Sequence, residues 1–314
     1  MSKPDYGSLT PEEYRRICLE AERLLAKADA LGQFPTPIDS IMTAAEVEEI
    51  KDEHLDDGFL SRMRREAGSN VRKAFQKIQG LFHAAGRLVF IDKTVLKVKQ
   101  TFLRLHEAGH AVLPWHRKIY ALVETSEQEL DPDTADLFDR EANVFASEVV
   151  FQLDTFINEA EQMPFGIKTP LGLSKKYGAS VYASIRQYVS KNHRACAVVV
   201  LNKPEMVEGD GFRAGLRRVV ASEKFKEQFG DLDWPDHFTP GDQIGAMAPV
   251  GQRRMSGKRE ISLIDRNGDR HECFAEAFNN TYNIFVLIHA VQTLTKSAII
   301  MPNAEAISAF STSS

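Results

Sequence analysis

The residues best suited to chemistry stand together in His106-Glu107-Ala108-Gly109-His110, an H-E-x-x-H string. On a helix, positions i and i+4 lie one above the other on one face, so His106 and His110 can offer imidazole nitrogens to a common point. That arrangement suits two corners of a tetrahedral zinc site. Glu107 sits about 100° further round the helix, where its carboxylate can lean over a metal-bound water without ligating the metal. A carboxylate so placed is a general base for a proton that the metal has acidified. Chance would produce such a string roughly once in fifty chains of this composition, so its surroundings must be weighed with it.

Those surroundings are helical. Val98, Phe102, Leu105 and Val112 recur at helical spacing, which makes the segment a buried helix with the histidines beside its apolar stripe. Pro114 is expected to stop it. Before it, Arg87–Asp92 reads as a short strand. After it, Lys118–Glu124 reads as a second strand, and a polar acidic loop then leads into a long helix from about 134 to 161. Upstream, Thr10-Pro11-Glu12-Glu13 is a helix start, with Thr as N-cap and Pro in the first turn. That helix should run to about Leu31, a second from Asp39 or Ser40 to about Lys51, and a third across 60–79.

Two histidines leave a zinc site one protein ligand short. The 134–161 helix is the natural donor, because a short strand connection returns the chain to the motif helix. On it Asp139, Ala142, Asn143, Ala146 and Val150 share one face, and the small residues allow close approach to another helix. Asp139 is therefore the expected third ligand, with Asn143 as its partner or as the acceptor for a ligand histidine. Glu141, on a different side, is the fallback. His116, just past Pro114-Trp115, reads as a loop histidine, with oxyanion stabilisation as its functional alternative.

The H-E-x-G-H string, followed about 30 residues later by Asp139-Arg-Glu-Ala-Asn-Val-Phe-Ala146, resembles the ImmA/IrrE family of zinc metallopeptidases. The resemblance covers roughly residues 10–192 and includes the strand before the motif helix and the N-terminal helices. It implies that His106, His110 and the acid four residues before Asn143 bind zinc, and that Glu107 is the catalytic base. The chain departs from the family at that acid, having Asp139 where Glu is usual. The shorter side chain requires the two helices to come closer.

Whole-chain properties bound the rest. A length of 314 residues, 43% hydrophobic and 26% charged, fits a soluble globular protein of two domains. The formal charge of −5, with no basic run, gives no global footprint for nucleic acid. Three cysteines far apart, Cys18, Cys196 and Cys273, argue for a reducing compartment. With no export signal and no membrane span visible, a cytoplasmic protein is expected.

The expected fold class is α+β. Residues 1–165 form a mostly helical, zincin-like peptidase domain with a small sheet. Residues 166–192 form a helix-turn-helix-like segment, in which Thr169-Pro170 and Ser180 cap two short helices. Residues 193–314 form a separate α+β domain whose role, sensing or docking, the residues leave open. In that domain Ala195–Leu201 is a buried strand, Asn267-Gly268 marks a hairpin, and Phe274 to about Leu294 reads as a helix. Lys175, Lys176, Arg186 and Lys191 would be the DNA contacts of the helix pair, against the simpler reading of a solvated basic face.

The functional expectation is a cytoplasmic zinc metallopeptidase whose substrate, by family resemblance, is a regulatory protein such as a transcriptional repressor cleaved at one site. The alternative is a metal-containing DNA-binding or regulatory protein with vestigial peptidase chemistry.

Overall fold

The computed structural model describes residues 9–49, 80–83, 88–91, 97–126, 131–209, 211–250 and 254–291. Helix α1, Pro11–Lys27, begins at a capping box. Thr10 accepts from the Glu13 amide, and the Glu13 carboxylate accepts from the Thr10 amide. Its buried stripe is Ile17, Ala21, Leu24 and Leu25. Helix α2 is Ile38–Ala44. Strands β1 (Glu48–Glu49), β2 (Gly80–His83) and β3 (Leu88–Ile91) make a small sheet in the order β1-β3-β2, with β1 parallel and β2 antiparallel to β3. The expected third helix across 60–79 lies outside the described residues.

The motif helix is α3, Lys97–Val112. Pro114 does not simply end it. After Leu113 the chain turns and Pro114 opens a new helix, α4, Pro114–Ser126. The expected strand over Lys118–Glu124 is therefore wrong. Proline is at home in a first helical turn, where its missing N–H leaves nothing unsatisfied, and Leu113 still accepts from the Arg117 amide at 3.2 Å. The apolar spacing of 119–123 was too irregular to separate the two states, and tertiary packing of Trp115 and His116 decided it.

Helix α5, Pro132–Phe151, is capped by Asp131, whose carboxylate accepts from the Thr134 amide at 3.0 Å. It stops short of the expected 161. Gln152 and Leu153 both take positive φ, 48° and 59°, and a new helix, α6, starts at Thr155 and runs to Glu161. The break has a use: the Gln152 amide bonds to the carbonyls of Ala30 and Gln33 and accepts from the Gly32 amide, tying the α1–α2 loop to the end of α5.

Two short helices follow, α7 (Lys168–Lys176) and α8 (Val181–Ser190). The C-terminal part is a sheet of strands β4 (Cys196–Asn202), β5 (Glu205–Val207), β6 (Gly211–Ala221), β7 (His237–Phe238), β8 (Met255–Ile264), β9 (Arg270–Asn279) and β10 (Asn283–Ala290), with helix α9 (Glu223–Phe229) after β6. The order is β5-β6-β4-β10-β9-β8, β7 adding to β6, and the pairings are antiparallel. The β8–β9 hairpin turns at Asn267-Gly268, with Gly268 at φ 90°.

The helix expected from Phe274 is instead β9, a turn, and β10. Phe278, Tyr282, Phe285 and Ile288 mimic a helical stripe, yet Tyr282 is 73% exposed while Ile284 through Ile288 are fully buried. An apolar run buried on both faces is a central strand. The turn is set by Asn side chains: Asn279 accepts from the Thr281 amide and Asn280 from the Asn283 amide, each at 2.7 Å.

The C-terminal region is α+β, but its sheet is not insulated from the helices. Ala197, Val199 and Leu201 face a core with Phe212, Phe225 and Phe229. Cys196, Val198 and Val200 point the other way and share a core with Ile185, Tyr188 and Val189 of α8.

Candidate metal centre

Helices α3 and α5 cross at Gly109. A Cβ on Gly109 would lie 3.1 Å from Phe145 Cδ1 and 3.3 Å from the Ala142 Cα. Glycine on one helix facing alanine on the other lets the backbones approach closely. That approach carries Asp139, on the first turns of α5, to the two histidines of α3. His106, His110 and Asp139 each offer a donor atom, and these atoms lie within 4.8 Å of one another. The separations are 3.2 Å between the two Nε2 atoms, 3.7 Å from His106 Nε2 to Asp139 Oδ1, and 3.9 Å from His110 Nε2 to the same oxygen.

The hydrogen bonds around the ring assign the tautomers. The Nδ1 of His106 lies 3.2 Å from Asn143 Oδ1, which can only accept, so the proton is on Nδ1 and the Nε2 lone pair is free. For His110 the chain is longer. Glu141 Oε2 sits 2.6 Å from His116 Nε2, and His116 Nδ1 sits 3.1 Å from His110 Nδ1. The carboxylate draws the His116 proton to Nε2, which leaves Nδ1 to accept from His110 Nδ1–H. Both Nε2 atoms of the pair then carry lone pairs, and they face each other at 3.2 Å. Two lone pairs so close repel each other unless a metal ion or a shared proton lies between them.

Burial supports this. His106, His110 and His116 all have pKa values lowered, with desolvation the leading cause, so the rings are neutral and able to ligate. Asp139 is different: its side chain is 65% exposed, so the group is open on that side. Glu107 is 6% exposed, and its carboxyl is pushed up to about 8, by burial first and by the charge of Asp139 second.

Bonds of about 2.0–2.1 Å at a tetrahedral angle set two donors about 3.3 Å apart. The three observed separations bracket and slightly exceed that value. The circle through three atoms at these separations has a radius of about 2.1 Å, an ordinary zinc bond length, so one ion could touch all three. The group could hold a metal ion.

Glu141, the fallback ligand, is not in this group. Its carboxylate accepts from Trp115 Nε1 at 2.8 Å and pairs with His116. His116 is not a loop histidine at the rim: it is on α4, fully buried, stacked on Phe138 with ring centroids 3.8 Å apart. Tyr120, which sequence reasoning passed over, places its hydroxyl 3.4 Å from His110 Nδ1. No spacing rule picks out His116 or Tyr120, because α4 itself was misread.

A histidine pair at i, i+4 with an intervening buried glutamate and a carboxylate from the adjoining helix defines the class: a helix-borne metal site of the H-E-x-x-H kind. Residues 64–184 match the family model for Peptidase M78, the IrrE N-terminal-like domain. No curated protein matches. Among solved structures the chain is similar to a Mycobacterium tuberculosis transcriptional regulator, at 13% identity and a TM-score of 0.50, covering 90% of this chain and 81% of that one. At that identity the likeness is one of fold. Among the described residues no helix is long and apolar enough to cross a membrane.

Proposed function

We propose that the protein is a zinc-dependent metallopeptidase of the cytoplasm that cleaves a regulatory protein, such as a transcriptional repressor, at a defined site. The observation that carries this reading is the meeting of His106 Nε2, His110 Nε2 and Asp139 Oδ1 beside a buried Glu107. The family match supports peptidase chemistry.

Zinc held by these three atoms would act as a Lewis acid, acidifying a water and polarising the scissile carbonyl. The chain's own residues do the rest. Asn143 and the Glu141–His116 relay hold the two imidazoles in the tautomers that leave Nε2 open. Glu107, its carboxyl able to gain and lose a proton near neutral pH, takes the water's proton and returns it to the leaving amine. The exposed side of Asp139 admits a polypeptide.

The alternative of a DNA-binding regulator draws on the α7–α8 pair. Helix α8 occupies the place of a recognition helix, but Ile185, Tyr188 and Val189 are buried and it packs on β4 and β6. Of the four basic candidates, Lys191 is turned onto Glu148 and Asp154 at 2.7 and 2.8 Å, and Lys176 onto Glu159 at 2.7 Å. Those contacts weigh against that reading.

The test is metal analysis of the purified protein with Glu107→Gln and His110→Ala beside it. About one zinc per chain is expected in the wild type and in Glu107→Gln, with cleavage of candidate repressors lost in both variants. Proteolysis surviving in Glu107→Gln, or in the presence of chelator, would refute the mechanism.

A further inference from the structure

A cleft of about 1310 Å³ begins at Asp139 and Asn143 on α5 and runs between the helical unit and the C-terminal sheet. Its floor includes Tyr182, Arg186 and Gln187 of α8. Its far wall includes Arg217 and Arg218 of β6 and Tyr282 in the β9–β10 turn. Pockets for small ligands span about 300–1,000 Å³, so this volume suits a polymer better than a metabolite.

The lining tells what kind of polymer. Gln187 is 7% exposed, and its amide nitrogen has no hydrogen-bond partner among the described residues; the same holds for Arg140 Nε. Buried donors left unpaired are costly and mark places where an acceptor is missing. The main-chain carbonyls of an extended peptide supply such acceptors. The charges point the same way. Asp139 is committed to the metal group, and Glu148 and Asp154 are both held by Lys191. The remaining carboxylates of the lining are Asp136 and Glu223, set against cations on both walls, Arg140 and Lys99 on one and Arg217 and Lys226 on the other. Arg217 lies exposed over the Tyr182 ring, 5.5 Å from its centroid, and so is placed over the floor of the cleft.

Building on the peptidase reading, we propose that this cleft docks an extended, acidic segment of the protein substrate, and that the C-terminal sheet, through Arg217 and its neighbours, selects it. The sheet is thus part of the substrate site. Arg217, exposed on β6, reads its acidic side chains, and Gln187, whose amide nitrogen lacks a partner among the described residues, turns toward the peptide backbone when the cleft is filled.

The experiment uses the full chain as zinc-loaded Glu107→Gln, which cannot turn a peptide over. Two fluorescein-labelled twelve-residue peptides serve as probes, one built from Glu, Ala and Leu, the other with Lys replacing Glu. Fluorescence anisotropy should show the acidic peptide bound at least ten-fold more tightly, the difference shrinking as salt rises. Arg217→Glu, at an exposed position, should weaken the acidic peptide about ten-fold and leave circular dichroism unchanged, and Arg217→Lys should restore most of the affinity. Equal binding of both peptides, no binding of either, or indifference to Arg217→Glu would overturn the proposal. So would a short DNA duplex that displaces the peptide at comparable concentration. Metal content and hydrolysis by the wild type are measured in parallel. An intact peptide preference in a protein without hydrolytic activity would sink the peptidase reading alone, and hydrolysis indifferent to Arg217 would sink the cleft alone.

Discussion

Replacing Gly109 by alanine tests how closely the metal group depends on the contact of two helices. The new Cβ would stand 3.1 Å from Phe145 Cδ1 and 3.3 Å from the Ala142 Cα, both tighter than ordinary contact. Phe145 is fully buried and Ala142 presents backbone, so neither can swing aside. Relief must come from the helices parting by a few tenths of an ångström. For stability two effects oppose: alanine gains about 1 kcal/mol of helix propensity over glycine, and overpacking a core costs about 1–3 kcal/mol. The net loss should be small, about 0–2 kcal/mol, and the protein should still fold. For the metal group nothing opposes. Asp139 Oδ1 is already 3.7 and 3.9 Å from the two nitrogens, near the limit of about 4.2 Å at which one ion can bridge a pair. Zinc affinity, measured by competition with a chromogenic chelator, should fall at least ten-fold. Adding Asp139→Glu lengthens the donor by one methylene and should recover most of the loss, while Asp139→Glu alone should gain little. Undiminished zinc binding in Gly109→Ala, or a double variant no better than the single, would refute the claim that helix spacing sets the reach of Asp139.

Glu141→Gln should keep the fold and weaken zinc about 10–100-fold, because the His116 tautomer that orients His110 loses its carboxylate; isothermal titration of the metal-free protein reads this. In the metal-free protein the Glu107 carboxyl is raised from 4.5 to about 8. A carboxyl raised by folding contributes stability fully below its unfolded pKa and loses it as pH climbs toward the folded one. Thermal melts should therefore show wild type losing on the order of a few kcal/mol relative to Glu107→Gln between pH 5 and 8.5, and parallel curves would contradict the shift. Lys191→Met leaves Glu148, whose side chain is 3% exposed, with only the Tyr14 hydroxyl, at 2.7 Å, among the described residues. A loss of about 3 kcal/mol in urea unfolding is expected, since one half of a buried ion pair remains.

Much of the site could be read from spacing because its geometry is local. His106 and His110 share a face by helical arithmetic alone, and the small face of 139–146 announced a close helix crossing. The α1 cap and the Asn267-Gly268 hairpin were equally plain, since a cap or a tight turn is determined by side chains a few residues apart. The two segments assigned the wrong state share one cause. Residues 118–124 and 274–290 carry apolar patterns that fit helix and strand alike, and what settles them is the partner they pack against. The first continues a helix whose opening turn is anchored by Trp115 and His116 on Glu141 of α5; the second is sandwiched between β4 and β9.

From the order of residues alone follow the histidine pair, the glutamate between them and the helix that brings a carboxylate, because these depend on periodicity within single helices. The folded chain alone decides that Asp139 lies beside the imidazoles while Glu141 turns to His116, and that the C-terminal sheet walls the cleft leading to them. Those are distances between segments far apart in the chain, set by the close approach at Gly109 and by the core that α8 shares with β4, and no local pattern encodes them.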